Sequence, residues 1–199
     1  DINGFNDAVA EVAAKSPAAA AELAPVSDAI RLVLLEITEL GVRLVPILLA
    51  LPMSWAIYEA TSVLFGGRRV AATATILFNA TLMVAVGTMI VTPDAPLLVA
   101  SSFLLLSLAK VLRTGRGAWW LAVGVAAGCA LLSKYTALFF GPAILIWLIV
   151  VPKLRHWLIS PWLYLGGLVA AAMFAPVVWW NADHHWVSFI KQMGRARME

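Results

Sequence analysis

Long apolar runs follow one another along most of the chain and are separated by short polar stretches. They cover residues 44–64, 70–91, 97–112, 121–151 and 158–180. A helix needs about 20 predominantly apolar residues to cross a bilayer. These runs are apolar on every face, whereas the strands of a membrane barrel alternate apolar and polar residues. The pattern therefore predicts an all-α protein, a polytopic bundle of membrane helices.

The run over residues 121–151 is too long for one ordinary crossing. Its main polar interruption is Ser133–Thr136, so we expect two short helices that meet at Lys134. Within the first of them, Gly124 and Gly128 form a GxxxG pattern, which favours close packing between helices. With this division the chain has about six transmembrane helices.

The first forty residues differ from the rest because they are rich in alanine and acidic residues and contain Pro17 and Pro25. Ser27 is suited to cap a following helix, in which apolar residues recur at helical spacing. This amphipathic segment, residues 27–40, could lie in the membrane interface or bind a partner protein. The sequence does not choose between these two roles.

Composition places the chain in the membrane class. Hydrophobic residues make up 62% and charged residues 13% of the sequence, and the mean hydropathy is +0.91. Soluble domains are about 45–50% apolar and about 25% charged. Pattern and composition divide the chain into acidic, Ala-rich extramembrane or interfacial helices (1–40), a transmembrane bundle (41–192) and a basic tail (193–199).

Charge is distributed unevenly, although the formal net charge is only +3. Residues 1–39 hold seven carboxylates and two basic side chains, a net charge of −5, and the remainder holds twelve basic side chains and four carboxylates, a net charge of +8. By the positive-inside rule, the basic residues of the short loops belong on the cytoplasmic side. They are Arg68, Arg69, Lys110, Arg113, Arg116, Lys153 and Arg155. The basic charge therefore indicates topology and does not imply nucleic-acid binding.

The opposite membrane face then receives polar groups that topology does not require. Asp94 lies between Pro93 and Pro96, in the turn between two apolar runs. It could act as a general base toward a hydroxyl, hold a divalent cation, or cap the following helix. Arg43, at the outer end of the first spanning helix, is a candidate contact for a phosphate. The alternative is an arginine that extends toward lipid headgroups.

Lys134 departs most strongly from the membrane pattern. A lysine at mid-membrane costs about 2.5–3.5 kcal/mol on insertion scales, so we expect an anion to compensate its charge. The functional interpretation is an ammonium that binds the phosphate of a lipid-linked substrate at headgroup level. The alternatives are an interfacial lysine that contacts lipid headgroups and a lysine that pairs with Asp94.

The last apolar run leads into a polar turn that contains Asn181, Asp183, His184 and His185. Adjacent histidines project in different directions, and no further ligands occur at a recognisable spacing, so we do not predict a zinc site. A polar turn at the membrane interface that contacts substrate is the favoured interpretation.

Four motifs follow one another between about Gly41 and Gln192: Gly41–Leu44, Thr92–Leu97, Gly124–Thr136 and Pro176–Phe189. Together they resemble the membrane glycosyltransferases of family 39, the group of protein O-mannosyltransferases and the lipid A aminoarabinose transferase, and most closely a bacterial member. The resemblance implies a GT-C fold in the bacterial inner (plasma) membrane. It also implies a sugar donor carried on polyprenyl phosphate, and transfer to an acceptor hydroxyl on the periplasmic or extracellular face.

In the light of this resemblance, Asp94 looks like the acid of the family's second outer loop and is expected to be catalytic. Lys134 lies where the family has a short outer hairpin, and it is expected, with Arg43, to bind the donor phosphate. Membrane lipids and the lipid-linked sugar are the expected partners. No cofactor is clearly implied, although Asp94 could hold a divalent cation. Substrate contacts are expected from Tyr135, Asn181, His184 and His185.

One family motif is missing from the sequence. Family members carry an Asp-Glu pair and a nearby tyrosine in a first outer loop, whose Asp is regarded as the catalytic base, and nothing before Glu36 matches it. We therefore expect the N-terminal half of a glycosyltransferase with a divergent N-terminus. A catalytically silent subunit of a larger membrane complex, bound through residues 27–40, is the alternative. A transporter is the third hypothesis, although the sequence contains no inverted repeat.

Overall fold

The structure, a computed structural model, describes residues 2–87 and 92–191. This part of the chain is almost entirely helical and contains no strand, which confirms the all-α prediction. Short 3-10 segments occur at Tyr135–Phe139 and Pro152–Ile159. The α-helices are α1 (Ile2–Lys15), α2 (Pro17–Phe65), α3 (Arg68–Ala80), α4 (Leu82–Gly87), α5 (Asp94–Thr114), α6 (Trp119–Ser133), α7 (Phe140–Val150) and α8 (Pro161–Asp183).

Three segments of the described chain are long and apolar enough to cross a membrane, by length and composition: Ile47–Phe65, Asp94–Thr114 and Pro161–Asp183. Two shorter apolar segments, Trp119–Ser133 and Tyr135–Val150, are separated by Lys134. The expected division of the long apolar run at this lysine is therefore confirmed. The protein is a multi-pass bundle of membrane helices.

The prediction of one uninterrupted helix over residues 70–91 is wrong. Thr81 separates α3 from α4, because its backbone is extended (ψ 139°) and leaves the helical conformation. Its hydroxyl donates to the Phe78 carbonyl at 2.7 Å. Residues 88–91, where this predicted crossing ends, lie outside the described part of the chain.

The long helix α2 passes without a break through the expected division between residues 40 and 41. Ser27 lies inside this helix rather than at the start of one, so the predicted cap is wrong. Its hydroxyl donates instead to the Ala24 carbonyl at 2.8 Å, a local bond that satisfies serine without a cap. The partner contact through residues 27–40 stays a prediction, and the basic tail 193–199 lies outside the described residues.

The bundle is organised around α6, which packs against both α5 and α8. A Cβ atom on Gly124 would lie 2.1 Å from the Gly166 carbonyl oxygen, and one on Gly128 would lie 2.7 Å from the Met173 sulfur. Glycine at these positions lets the two helices approach closely. The interpretation of the GxxxG pattern as a packing motif is therefore confirmed.

Contacts between helix ends separate the connecting segments into two groups. At one end of the bundle, Lys110 Nζ donates to Glu59 Oε1 at 2.9 Å and joins the C-terminal parts of α5 and α2. Gly117, before α6, packs against the Trp162 indole at the start of α8. The segments that carry the basic loop residues therefore lie together. The opposite end contains Asp94 and Lys134.

Candidate functional site at the Asp94 end of the bundle

Helix boundaries bring Asp94 and Lys134 to the same end of the bundle. Asp94 is the first residue of α5, and Pro96 lies in the first turn, where a proline sacrifices no intrahelical hydrogen bond. Lys134 ends α6 with an extended backbone (φ −155°, ψ 134°). A 3-10 segment begins at the next residue, so the lysine lies at a break between two helical segments.

The two side chains form an ion pair. Lys134 Nζ donates to Asp94 Oδ1 at 2.6 Å, a length typical of a charge-assisted hydrogen bond. The lysine and aspartate side chains are 37% and 35% exposed. An ammonium has three donors and a carboxylate has two acceptor oxygens. Both groups can therefore bind a further partner from their open side.

The start of α5 and the ion pair decide between alternatives that the sequence left open for Asp94 and Lys134. The N-cap position of α5 is Pro93, and no side chain caps the helix, so the predicted capping role of Asp94 is wrong. For Lys134, the structure contains the alternative in which the lysine pairs with Asp94. Its contact with a phosphate stays a prediction.

Tyr135 joins the neighbourhood of Lys134 to the end of α8. Its ring stacks on Phe189, with centroids 4.8 Å apart and planes 9° apart, and it meets Phe174 edge-on at 6.0 Å. Phe174 and Phe189 were not predicted to lie here, because an aromatic residue in an apolar run is usually a packing or lipid-facing residue. Their only sequence signal is their position on either side of the polar turn. Tyr135 stays a predicted substrate contact.

Asn181 organises the turn after α8 from the inside, and it is only 1% exposed. Its side-chain amide donates to the Val177 carbonyl at 2.9 Å, and its side-chain oxygen accepts from the Ser188 amide at 3.3 Å. Its backbone carbonyl accepts from the Trp186 amide at 2.8 Å. These bonds make Asn181 a structural centre of the turn, and its burial lends no support to the predicted direct contact with substrate.

His184 and His185 lie in the exposed part of the same turn. The His184 ring stacks on Trp180 at 4.1 Å, and its Nδ1 lies 2.8 Å from the Trp180 carbonyl oxygen. His185 and Trp186 have φ angles of 55° and 59°, in the left-handed region that large side chains rarely adopt. Backbone strain of this kind is concentrated at functional sites. The substrate contacts of both histidines stay predictions.

Arg43 and a bound cation also stay predictions. Arg43 belongs to α2, but its side chain lies outside the described part of the structure. Across residues 2–87 and 92–191, no group of three or more His, Cys, Asp or Glu side chains could hold a metal ion.

A mostly apolar groove of about 490 Å³ runs between α5 and α6. We call it the α5–α6 groove. Pro96 and Ser133 line it where the chain approaches Asp94 and Lys134, and Ser107 and Ala122 line it farther along the two helices. At 1.5 Å per residue, the lining positions on α5 extend over about 16 Å. The groove therefore leads from the ion pair into the apolar part of the bundle.

Comparison with protein families supplies one match. A family model described as dolichyl-phosphate-mannose-protein mannosyltransferase matches residues 24–180. This range contains both members of the Asp94–Lys134 pair and ends just before the Asn181 turn. Comparisons with curated proteins and with solved structures gave no match.

Proposed function

Because the chain belongs to the dolichyl-phosphate-mannose-protein mannosyltransferase family of membrane glycosyltransferases, we propose that it transfers a sugar from a polyprenyl-phosphate donor to an acceptor hydroxyl. The observation that carries the proposal is the Lys134–Asp94 ion pair, 2.6 Å long and about one-third exposed. It offers a cation for the donor phosphate and a carboxylate for the acceptor at one position.

Lys134 is the proposed ligand of the donor phosphate. Its ammonium can turn from Asp94 to a phosphate oxygen and keep a charge-assisted hydrogen bond throughout. As the bond between the sugar and the phosphate breaks, negative charge grows on the leaving phosphate, and a cation already in place stabilises that charge. Arg43 is proposed as a second contact to the same phosphate.

Asp94 is the proposed general base. Its carboxylate takes the proton of the acceptor hydroxyl while the hydroxyl oxygen attacks the anomeric carbon. The bond from that carbon to the phosphate oxygen breaks, and the lipid phosphate leaves with the electron pair. Movement of Lys134 toward the phosphate would free the carboxylate for this proton transfer, so donor binding would prepare the base.

The α5–α6 groove is the proposed site of the polyprenyl chain. Its lining is mostly apolar, and Pro96 and Ser133 bring one end close to the ion pair. One donor molecule could therefore place its phosphate at Lys134 and its isoprenoid chain in the groove without bending away from the protein. An isoprenoid in this groove would exchange lipid contacts for protein contacts, so the groove supplies orientation more than hydrophobic affinity.

The polar turn after α8 is proposed to contact the sugar or the acceptor through His184 and His185, with Tyr135 beside them. Asn181 is proposed to act indirectly, because it holds the turn in place. We place this end of the bundle on the periplasmic side of a bacterial inner membrane. The basic segments at the other end support this orientation through the positive-inside rule.

Transfer of radiolabelled mannose from polyprenyl phosphate to acceptors in membrane extracts tests the proposal, and mannose is used because the family description names it. Lys134→Ala is expected to lower the rate by about 10²–10³-fold, the usual loss when one preorganised charge stabiliser is removed. Asp94→Asn is expected to lower it by about 10²-fold or more.

Lys110→Ala is the matched control, since Lys110 forms a similar ion pair at the opposite end of α5. It should leave transfer close to that of the unmodified protein. Unchanged transfer in both Lys134→Ala and Asp94→Asn, at equal protein levels, would remove these two residues from the mechanism.

A second candidate function is a catalytically silent subunit of a larger membrane complex. Four apolar side chains in the N-terminal half of α2 are exposed, which is what a helix that packs on a partner would present: Val26, Ile30, Leu32 and Val33. Copurification with a stable partner that is lost on Ile30→Glu, together with no binding of polyprenyl phosphate, would favour this function over transfer.

A further inference from the structure

A second large groove lies on the other side of α6, between α7 and α8. We call it the α7–α8 groove. Its volume is about 580 Å³, and its lining is almost entirely apolar. It shares no lining residue with the α5–α6 groove. Trp120 and Leu163 line it toward the basic end of the bundle, and Ala137 and Phe174 line it toward the Asp94 end. A ligand here would be separate from the proposed sugar donor.

Two glycines of the lining have open space where a side chain would begin. A Cβ atom on Gly141 of α7 or on Gly167 of α8 would meet no atom within 4 Å, apart from the glycine's own chain neighbours and helix backbone, and both residues line the groove. Pockets of about 300–1,000 Å³ suit single small ligands, and the volume of the α7–α8 groove lies in this range. An extended acyl chain is a ligand of this kind.

The 3-10 segment Pro152–Ile159 joins α7 to α8 and lies next to the basic end of the groove. Leu154 and Trp157 are buried under this segment, at 8% and 7% exposure, whereas Lys153 and Arg155 are exposed. Tyr164, which lines the groove, donates its hydroxyl to the Leu158 carbonyl at 2.6 Å. This bond fixes the segment against the mouth of the groove.

The two exposed cations lack an anionic partner within the described residues. The ion pairs found there join Lys15 to Glu11, Lys110 to Glu59 and Lys134 to Asp94. Arg155 uses Nε to donate to the Ile149 carbonyl at 2.8 Å, which orients the guanidinium and leaves its terminal nitrogens for an anion. Two cations without an anionic partner in the described part of the chain therefore lie on the segment next to the basic end of the groove.

We propose that the α7–α8 groove is a binding site for an anionic phospholipid, with an acyl chain in the groove and the phosphate at Lys153 and Arg155. The charge of the mouth selects the headgroup, since basic side chains next to a membrane favour anionic lipids. The apolar lining accepts the chain. This site lies at the opposite end of α7 from Lys134, so it does not depend on the proposed transfer reaction.

Native mass spectrometry of the purified full chain, with phosphatidylglycerol or phosphatidylcholine of identical acyl chains, tests the site. The unmodified protein should retain phosphatidylglycerol in preference to phosphatidylcholine. The double variant Lys153→Gln, Arg155→Gln should lower phosphatidylglycerol retention by about tenfold or more, because two headgroup cations are lost. Arg68→Gln, Arg69→Gln removes two exposed cations at the start of α3, away from the connection between α7 and α8, and should retain the lipid.

A groove-filling variant separates this site from simple surface attraction. Gly141→Leu, Gly167→Leu should reduce retention of both lipids although every cation remains, and Gly167→Ala is its mild control. The proposal would be overturned if retention falls only when the cations are removed, or only when the groove is filled. Retention that neither change affects would also overturn it. A change from monomer to dimer on groove filling would also overturn it, because a second copy would then be the occupant. If the double leucine variant fails to fold, the glutamine variants and the preference between the two lipids still test the proposed site.

Discussion

Two ion pairs of similar geometry lie at opposite ends of α5. Lys134 and Asp94 are 2.6 Å apart, and Lys110 and Glu59 are 2.9 Å apart. The four side chains are between 24% and 37% exposed, and pairs of this exposure in water contribute about 0–1 kcal/mol to stability. Lys110 also lies 6.0 Å from the Trp119 ring, a cation–π distance. We therefore expect Lys134→Ala to fold, so that loss of transfer in this variant would report on chemistry.

Asn181 is the residue whose loss should most disturb the polar turn. Asn181→Ala removes the buried amide that bonds to Val177 and Ser188 and leaves the Ser188 amide without this acceptor. We expect a loss of about 1–3 kcal/mol in the free energy of unfolding. Thermal unfolding in detergent, followed by tryptophan fluorescence, measures it. His185→Ala, which alters an exposed side chain in the same turn, is the control. Equal unfolding temperatures for the two variants would contradict the role given to Asn181.

At the residue scale, the sequence was sufficient to bring Asp94 and Lys134 to one end of the bundle. Each interrupts an apolar run, and helix length fixes which end of the bundle a run reaches. The sequence could not predict that the two side chains would form an ion pair. Two residues at the same end of a bundle can lie on helices that do not touch. It also missed Phe174 and Phe189, since stacking on Tyr135 depends on how α8 crosses α6.

The crossing of α6 and α8 depends on small residues at one contact. A Cβ atom on Gly166 would lie 2.3 Å from the Trp120 carbonyl oxygen, whereas one on the adjacent Gly167 would meet nothing. Gly166→Ala should therefore push the helices apart and cost about 1–3 kcal/mol. Gly167→Ala should leave stability unchanged or raise it by up to about 1 kcal/mol through helix propensity. Unfolding temperatures of the two variants measure the difference, and a similar effect of both would contradict the close contact.

At the element scale, helix type and approximate position follow from the apolar pattern, because apolar runs of this length have few other ways to satisfy their backbone in lipid. The sequence predicted the helix boundaries less accurately. The helix predicted over residues 70–91 breaks at Thr81, whose hydroxyl competes for a backbone carbonyl. The start predicted at Ser27 lies within α2, where the serine hydroxyl bonds to the Ala24 carbonyl of the same helix.

Across the whole molecule, the cations of the loops and the Asp94–Lys134 pair lie at opposite ends of the bundle. Labelling of single cysteines tests the proposed orientation, in a background where Cys129 is replaced by serine. A membrane-impermeant maleimide added to intact spheroplasts should label Thr136→Cys, beside Lys134, and should spare Arg116→Cys. Both should be labelled after permeabilisation. Labelling of Arg116→Cys alone in intact spheroplasts would reverse the orientation.

The central claim, that Lys134 binds a lipid phosphate, is tested most directly by binding rather than turnover. Equilibrium binding of radiolabelled polyprenyl phosphate to the purified chain in lipid nanodiscs, with excess phosphatidylglycerol present, needs no acceptor and no catalytic base. Lys134→Ala should weaken binding by about tenfold or more, the value of one charge-assisted hydrogen bond, and Lys110→Ala should not change it. Equal affinity of the unmodified protein and Lys134→Ala would contradict the claim.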